Sequence, residues 1–470
     1  MATRPLLVLP VLVILVFACG CLQASSPAPT GTGTVAPPLS PAANTTTVPD
    51  LVTHVARAAA YARENGRERA TTGFGDPNGP FSIGQAPIYA RDYNGTVLAA
   101  APGTGPAGTA GLEATDAFGV PIIRNMGETA RYGGGYVSHT TPDPDLNGTI
   151  EPAIEVVEDV DGTYYVGAGI SASGGDLVSP TVMDITGEQP GVDVLEAFVH
   201  EAAAYAREHG RDAAVEAFDD PSGRFVRGQL VVTAFDFNAT VLACPTGAFG
   251  FAQSGVNLLN YHDPDGVAVI RGMRDLARSG GGLLYTVNPV AVDGRRVFLP
   301  KVVSVEPVDG DWWLSAGIID PAYAGSAGEN VTGLPVRNET RTRLYDLVIR
   351  AVAHAREHGK ERTLEAINDP AGPFVEGNLF AWAESTDGTM LADPFWKSAI
   401  GQNYMDYTDL YGLKTTRVGI DAMQHGTGFS HALFPDTAAN GSTWVPKLVY
   451  QLAVDEDWWI GSGVYGVEVR

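Results

Sequence analysis

The chain has 470 residues, 44% hydrophobic and 18% charged. It is too long for one ordinary core and too apolar to stay disordered, so two to four domains of roughly 100–200 residues are expected. Its 54 acidic and 30 basic residues give a net charge of −24 at pH 7 with no run of Lys or Arg, which argues against a nucleic-acid partner.

The N-terminus reads as an export signal. Arg4 precedes an apolar stretch from Leu6 to Phe17, then Ala18, Cys19, Gly20 and Cys21. That stretch is short for a membrane span and the right length for a signal-peptide core. Small residues leading to a Cys resemble a lipobox, with Cys21 as the lipid attachment site and Cys19 as the alternative. A plain signal peptide without lipid is the competing reading. With lipid, that anchor is the only membrane attachment expected, at the outer face of the cell membrane. Residues 22–49 are rich in Ala, Ser, Thr, Pro and Gly and read as a disordered tether. Asn44, Asn94, Asn147, Asn238, Asn330, Asn338 and Asn440 each open an Asn-x-Ser/Thr sequon, a density that suits an exported glycoprotein. Cys244 would be the one thiol left, so no internal disulfide is expected.

Internal repeats organise the rest. Tyr61-Ala-Arg-Glu-Asn-Gly66 recurs as Tyr205-Ala-Arg-Glu-His-Gly210 and His354-Ala-Arg-Glu-His-Gly359, at offsets of 144 and 149. Asp76-Pro77 recurs as Asp220-Pro221 and Asp369-Pro370. Asp116-x-x-Gly119 recurs as Asp263-x-x-Gly266 and Asp409-x-x-Gly412. The endings match too: Thr163-Tyr-Tyr-Val-Gly-Ala-Gly169, Asp311-Trp-Trp-Leu-Ser-Ala-Gly317 and Asp457-Trp-Trp-Ile-Gly-Ser-Gly463. A repeat of this length is a whole domain. Domains are expected at 50–172, 191–322 and 337–470, joined by Gly/Ser/Pro-rich linkers near 171–190 and 324–335.

Each copy opens with a helix. Leu51, Val55, Ala58, Ala59 and Ala62 recur at helical spacing, with Asp50 as the expected cap. Gly66, Gly210 and Gly359 mark its end or a bend. After Asp-Pro comes a hairpin: Ala86–Asp92, the turn Asn94-Gly95, then Thr96–Ala99. A short helix comes next (Val120–Arg131; Val267–Arg278), closed by Gly133-Gly134-Gly135 or Gly280-Gly281-Gly282. Further strands end the copy, such as Lys301–Pro307 and Trp312–Ile318. The predicted layout is α+β, an antiparallel sheet with a long N-terminal helix and a second short helix on one side.

Taken in order, these features resemble the single-Cache family of extracellular sensor domains, which have a PAS-like fold. The resemblance covers nearly all of 50–470. It rests on the opening helix, Asp-Pro, Asp-x-x-Gly, the glycine turn and Pro-Lys…Asp-Trp-Trp…Gly-x-Gly. It implies a small-molecule ligand, often an organic anion, held between sheet and helices. Family members commonly feed a membrane span and a signalling module; none comes after the third copy here, so ligand capture or presentation to a separate membrane receptor is expected.

Lining up the copies picks candidate ligand-binding residues. Tyr89, Thr233 and Trp382 correspond on the first strand, and Ser138, Tyr285 and His431 correspond after the glycine turn. Ala153, Lys301 and Lys447 each come directly after a Pro, ahead of the closing hairpin. Lys301 and Lys447, in strands entering a Trp-rich core, can pair with a carboxylate. The competing reading is a snorkelling head. Tyr285, His431 and Trp382 would line an apolar pocket, with core packing as the alternative. Asp263 and Asp409 are ligand candidates but suit turn or helix caps better. His425 and His431 lack a third metal ligand at a recognisable spacing, and HExxH, Gly-x-Ser-x-Gly and P-loop motifs are absent from the sequence. No cofactor, metal site or catalytic group is expected. The alternative function is a structural or adhesive surface protein using the copies as spacers.

Overall fold

A computed structural model describes residues 46–465 except 77, 82–85, 101–104, 144–148, 172–174, 177–189, 246–253, 293–294, 321–335 and 436–443. The signal region with Cys19 and Cys21, most of the tether, most of both linkers and the sequons at Asn44, Asn147, Asn330 and Asn440 lie outside the described residues. The described residues belong to one compact unit, Pro41–Arg470.

The chain is α+β, and one order of elements occurs three times. In the third copy a helix Asn338–His358 leads into a second, Lys360–Asn368. Strands Leu379–Ser385 and Met390–Ala392 come next, then the short helix Thr415–His425. Strands Phe429–Pro435, Trp444–Ala453 and Trp458–Tyr465 close the copy. The last strand sits in the middle of the sheet, antiparallel to both Leu379–Ser385 and Trp444–Ala453. The first copy has the same pairings among Tyr89–Asp92, Thr149–Asp159 and Tyr164–Ser171, and the second among Thr233–Asp236, Arg295–Pro307 and Trp312–Ile319.

The helices do not share one side. In the first copy the opening helix Val48–Asn65 packs Leu51, Val55, Ala58 and Ala62 into a core with Tyr136, Val156, Tyr164 and Val166. The short helix Ile122–Arg131 puts Ile123, Met126 and Ala130 against Val137, Val157 and Tyr165. Those partners are sequence neighbours, and neighbours in a strand point to opposite faces. Both faces are therefore covered, which is why the strands carry doubled apolar residues. Trp312 and Trp313 divide between two cores in this way.

Local chemistry explains the repeated motifs. The cap of the opening helix is Thr47 rather than Asp50: Thr47 Oγ1 accepts the Asp50 N–H at 3.3 Å and Asp50 Oδ2 accepts the Thr47 N–H at 3.1 Å, a reciprocal capping box. The helix starts earlier than expected because Pro49 is tolerated in a first turn. At Gly66, Gly210 and Gly359, φ is +76°, +81° and +83°, so the backbone breaks the helix and starts another at once. Arg63 and Arg207 of the repeated Ala-Arg-Glu donate to the Val160 and Val308 carbonyls, at 3.1 and 3.0 Å, pinning the helix to the turn before the last strand. Asp116, Asp263 and Asp409 each cap their own turn through Oδ1, which accepts the N–H of Val120, Val267 and Leu413 at 2.9–3.0 Å. Their second oxygens accept from the neighbouring strand: Thr140 N–H, Thr286 Oγ1 and Leu433 N–H. Asp-x-x-Gly is thus a staple between turn and sheet.

The final Gly-x-Gly has a packing cause. A Cβ on Gly463 would stand 2.6 Å from Lys447 Cε, and one on Gly317 2.5 Å from Lys301 Cε. In both copies the lysine lies across a strand that has been shaved to let it pass.

The copies also share buried contacts. Tyr285 pairs with His431, which joins the second and third sheets edge to edge. The strand Asn257–Asn260 runs parallel to Gly134–Asp143 of the first copy, a pairing the sequence did not suggest. At the junction His431 is fully buried, its Nε2 3.2 Å from Asp263 Oδ2 and 3.3 Å from Asp265 Oδ2. Arg341 lies close by and donates to the Pro264 carbonyl at 3.3 Å. Burial alone would lower the His431 pKa, but the two carboxylates raise it to about 10.

A folded-state pKa of about 10 for His431, against an unfolded value of about 6.5, gives stability that is complete below pH ~6.5 and lost as pH rises through 10. His431→Gln leaves two buried carboxylates facing each other. It should cost about 3 kcal/mol or more at neutral pH and remove the alkaline component from melting curves taken between pH 6 and 10.5. Gly463→Ala should cost about 1–3 kcal/mol in urea unfolding, because Lys447 must leave its groove, while Gly310→Ala, in open space, should be near neutral.

Candidate ligand-binding site

A cavity of about 520 Å³ opens in the third copy, between the sheet and the short helix. That is the size range of small-molecule sites. Strand alternation aims its walls: Phe380, Trp382 and Glu384 from one strand, Lys447, Val449 and Gln451 from another, Ser430, Ala432 and Phe434 from a third. Thr416 and Gly419 of the short helix face them, and Phe395 and Trp396 flank the opening.

Lys447 is the charged centre at one end. It is 6% exposed, and its Nζ lies 4.8 Å from the Tyr465 ring, 5.2 Å from Trp382, 5.3 Å from Phe434 and 5.5 Å from Phe380. Ring faces attract a cation, and these four surround the lysine head. An anion entering the cavity meets that charge in a low-dielectric setting, where the attraction is strong.

The other end is acidic. Glu384 is 5% exposed; burial, aided by the nearby Asp393 charge, pushes its pKa up to about 8, so at neutral pH the carboxyl is largely protonated. Thr416 Oγ1 donates to Glu384 Oε2 at 3.4 Å. Asp393 Oδ1 accepts the N–H groups of Phe395 and Trp396 at 2.8 and 2.7 Å and so fixes the segment at the mouth. Trp459 Nε1, buried in the same cavity, has no hydrogen-bond partner among the described residues.

The sequence candidates separate cleanly. Lys447 and Trp382 meet in the cavity. His431 sits between Ser430 and Ala432 on their strand but faces the other way, onto Asp263 and Asp265. Tyr285 likewise lies on the far face of the second sheet and donates to Asp320 Oδ2 at 2.5 Å, where Tyr411 donates to Oδ1 at 2.5 Å. Asp263 and Asp409 serve as turn staples, each tying its own loop to the sheet. Lys301 is buried in the second copy, and burial lowers its pKa to about 8.

The same face differs in each copy. In the second, Phe235 stacks on Trp313 with centroids 4.5 Å apart, in the places held by Glu384 and Trp459. In the first, Tyr89 Oη donates to Glu155 Oε2 at 3.1 Å, and His139 Nε2 lies 3.4 Å from Glu155 Oε1. Glu384, Asp393 and the Phe395–Trp396 pair were missed in the sequence. A signal for the first existed: Arg91, Phe235 and Glu384 correspond in the three copies and share no chemistry.

Residues 348–470 match the family model described as Single Cache domain 2. No curated protein matches the chain. Among solved structures, a methyl-accepting chemotaxis protein from Vibrio parahaemolyticus is 22% identical over 28% of this chain and 93% of its own, with a TM-score of 0.25. A Cache chemosensory domain described as recognising carboxylic acids is 19% identical over 26% and 86%, with a TM-score of 0.21. The ligand-binding domain of the Pseudomonas fluorescens chemoreceptor CtaA, in complex with L-serine, is 11% identical over 58% and 88%, with a TM-score of 0.17. Among the described residues no helix is long and apolar enough to cross a membrane. The third copy of the repeat is thus similar, over residues 348–470, to the Single Cache domain 2 family.

Proposed function

We propose that this chain is a non-enzymatic receptor for small organic anions, held at the outer face of the cell membrane by a lipid on Cys21, and that its binding site is the cavity of the third copy. The observation that carries the reading is the Lys447 ammonium, buried in a ring of four aromatic side chains and lining a cavity of about 520 Å³. A carboxylate is its natural complement: a compact anion for a point charge. Lys301 offers the second copy the same group, though the Phe235–Trp313 stack occupies part of that face. Occupancy is passed to a separate membrane receptor. For the first copy a spacer role is favoured, since Ala153 stands where the lysines do and the Tyr89–Glu155–His139 cluster occupies the face.

The test uses the full chain and a panel of acetate, pyruvate, succinate and amino acids. A ligand at 100 times its Kd adds about 2.7 kcal/mol, read as a rise of roughly 2–4 °C in Tm for each kcal/mol. Lys447→Met should abolish the rise while melting normally without ligand, and Lys301→Met should leave it unchanged. A panel in which no carboxylate raises Tm, or a Lys447→Met chain that responds in full, overturns the proposal.

A further inference from the structure

The cavity is larger than a two- or three-carbon acid needs, and its two ends differ in chemistry. On the central strand Trp458–Tyr465, Lys447 pairs with Tyr465 while Glu384 pairs with Trp459. Six residues of strand separate those rows, but the Lys447 stem reaches back over Gly463, which leaves four residues, on the order of 13 Å at about 3.3 Å per residue, between its head and the Glu384 row. Both side chains nevertheless line one cavity, so a molecule touching both must be extended.

What lies between is flat and apolar. Gly461 takes no side chain there, and Trp382 lies across it, Cζ2 3.0 Å from where a Cβ would be. Val449 stands beside Gly463 in the middle, while Met390 and Trp459 belong to the Glu384 row. At the mouth Phe395 and Trp396 are 57% and 48% exposed, two large rings left partly in water. Exposed aromatic surface at the rim of a cavity gains most from an apolar guest. At the far end Glu384 and Asp393 offer acceptor oxygens.

We infer that the ligand is an extended aryl carboxylate: its acid pairs with Lys447, its ring lies between Trp382 and the Phe395–Trp396 rim, and a hydrogen-bond donor at its far end is read by Glu384. This rests on the cavity being the carboxylate site. It adds the class of molecule. A protonated Glu384, already hydrogen-bonded to Thr416 and Trp382, has remaining lone pairs that can accept from a neutral hydroxyl, while a second carboxylate on the ligand is repelled by Asp393.

Calorimetry on the full chain at pH 7 compares acetate, phenylpropanoate and its para-hydroxy derivative. Phenylpropanoate should bind at least ~10-fold tighter than acetate, the gain of burying one ring. The para-hydroxy compound should bind about fivefold tighter again, the gain of one hydrogen bond. Lys447→Met should abolish all three, and Glu384→Leu should erase only the hydroxyl preference. Glu384→Gln, which keeps an acceptor oxygen, should retain that preference and guards against a misfolded leucine variant. If acetate binds as tightly as phenylpropanoate in a Lys447-dependent way, the aryl assignment fails and the carboxylate site stands. Equal binding of the two aryl acids overturns the role of Glu384. Binding by none of the three defeats both.

Discussion

A lysine ammonium taken out of bulk water must be compensated, and everything distinctive in the third copy stems from how that is done for Lys447. Its stem lies in the groove left by Gly463, and its head is ringed by Tyr465, Trp382, Phe434 and Phe380. Ring faces repay part of the desolvation of a buried ammonium. A carboxylate side chain projecting into the middle of that face would instead pair with its polar neighbours and fill the space.

The first copy shows that alternative. Glu155 takes the hydroxyl of Tyr89 and sits against His139, so the polar groups on that face satisfy one another. The second copy keeps the lysine and fills the middle of the face with a stacked Phe235–Trp313 pair. One backbone, with a glycine at the same place in its closing strand (Gly169, Gly317, Gly463), therefore carries an internal ion contact, an aromatic plug and an open cavity. The scaffold tolerates this because its stability is placed elsewhere: in the opening helix on the opposite face, in the Asp-x-x-Gly staples and in the arginine ties of Arg63 and Arg207.

Much of this was legible in the residues. Four ordered motifs repeated three times carry the architecture, and Pro-Lys before Trp-Trp points to a buried cation. Two readings went astray for a common reason. Tyr285 and His431 were matched by position along a strand, but a one-residue step reverses the face, and the turn that sets the register lies many residues away. The doubled Val156-Val157 and Trp312-Trp313 pairs already signalled a sheet covered on both sides. Glu384 escaped because it looks like a surface residue; the fold buries it between its strand neighbours and Thr416 of the short helix. The junction at His431 could not be read at all, since Asp263 and Asp265 come from another copy and no spacing rule connects them.

That junction and the cavity share a strand. Ser430 and Ala432 line the cavity, while His431, between them, is held on the reverse face by two carboxylates of the second copy. Leu433 packs into the core of the second copy, and Phe434 returns to the cage around Lys447. Peptide geometry makes these alternating side chains one mechanical object: the strand cannot slide or tilt toward a guest without displacing the imidazolium from carboxylates 3.2 and 3.3 Å away. A close-packed interior does not absorb such a shift gradually. The wall of the cavity and the border between the second and third copies are thus two faces of one strand.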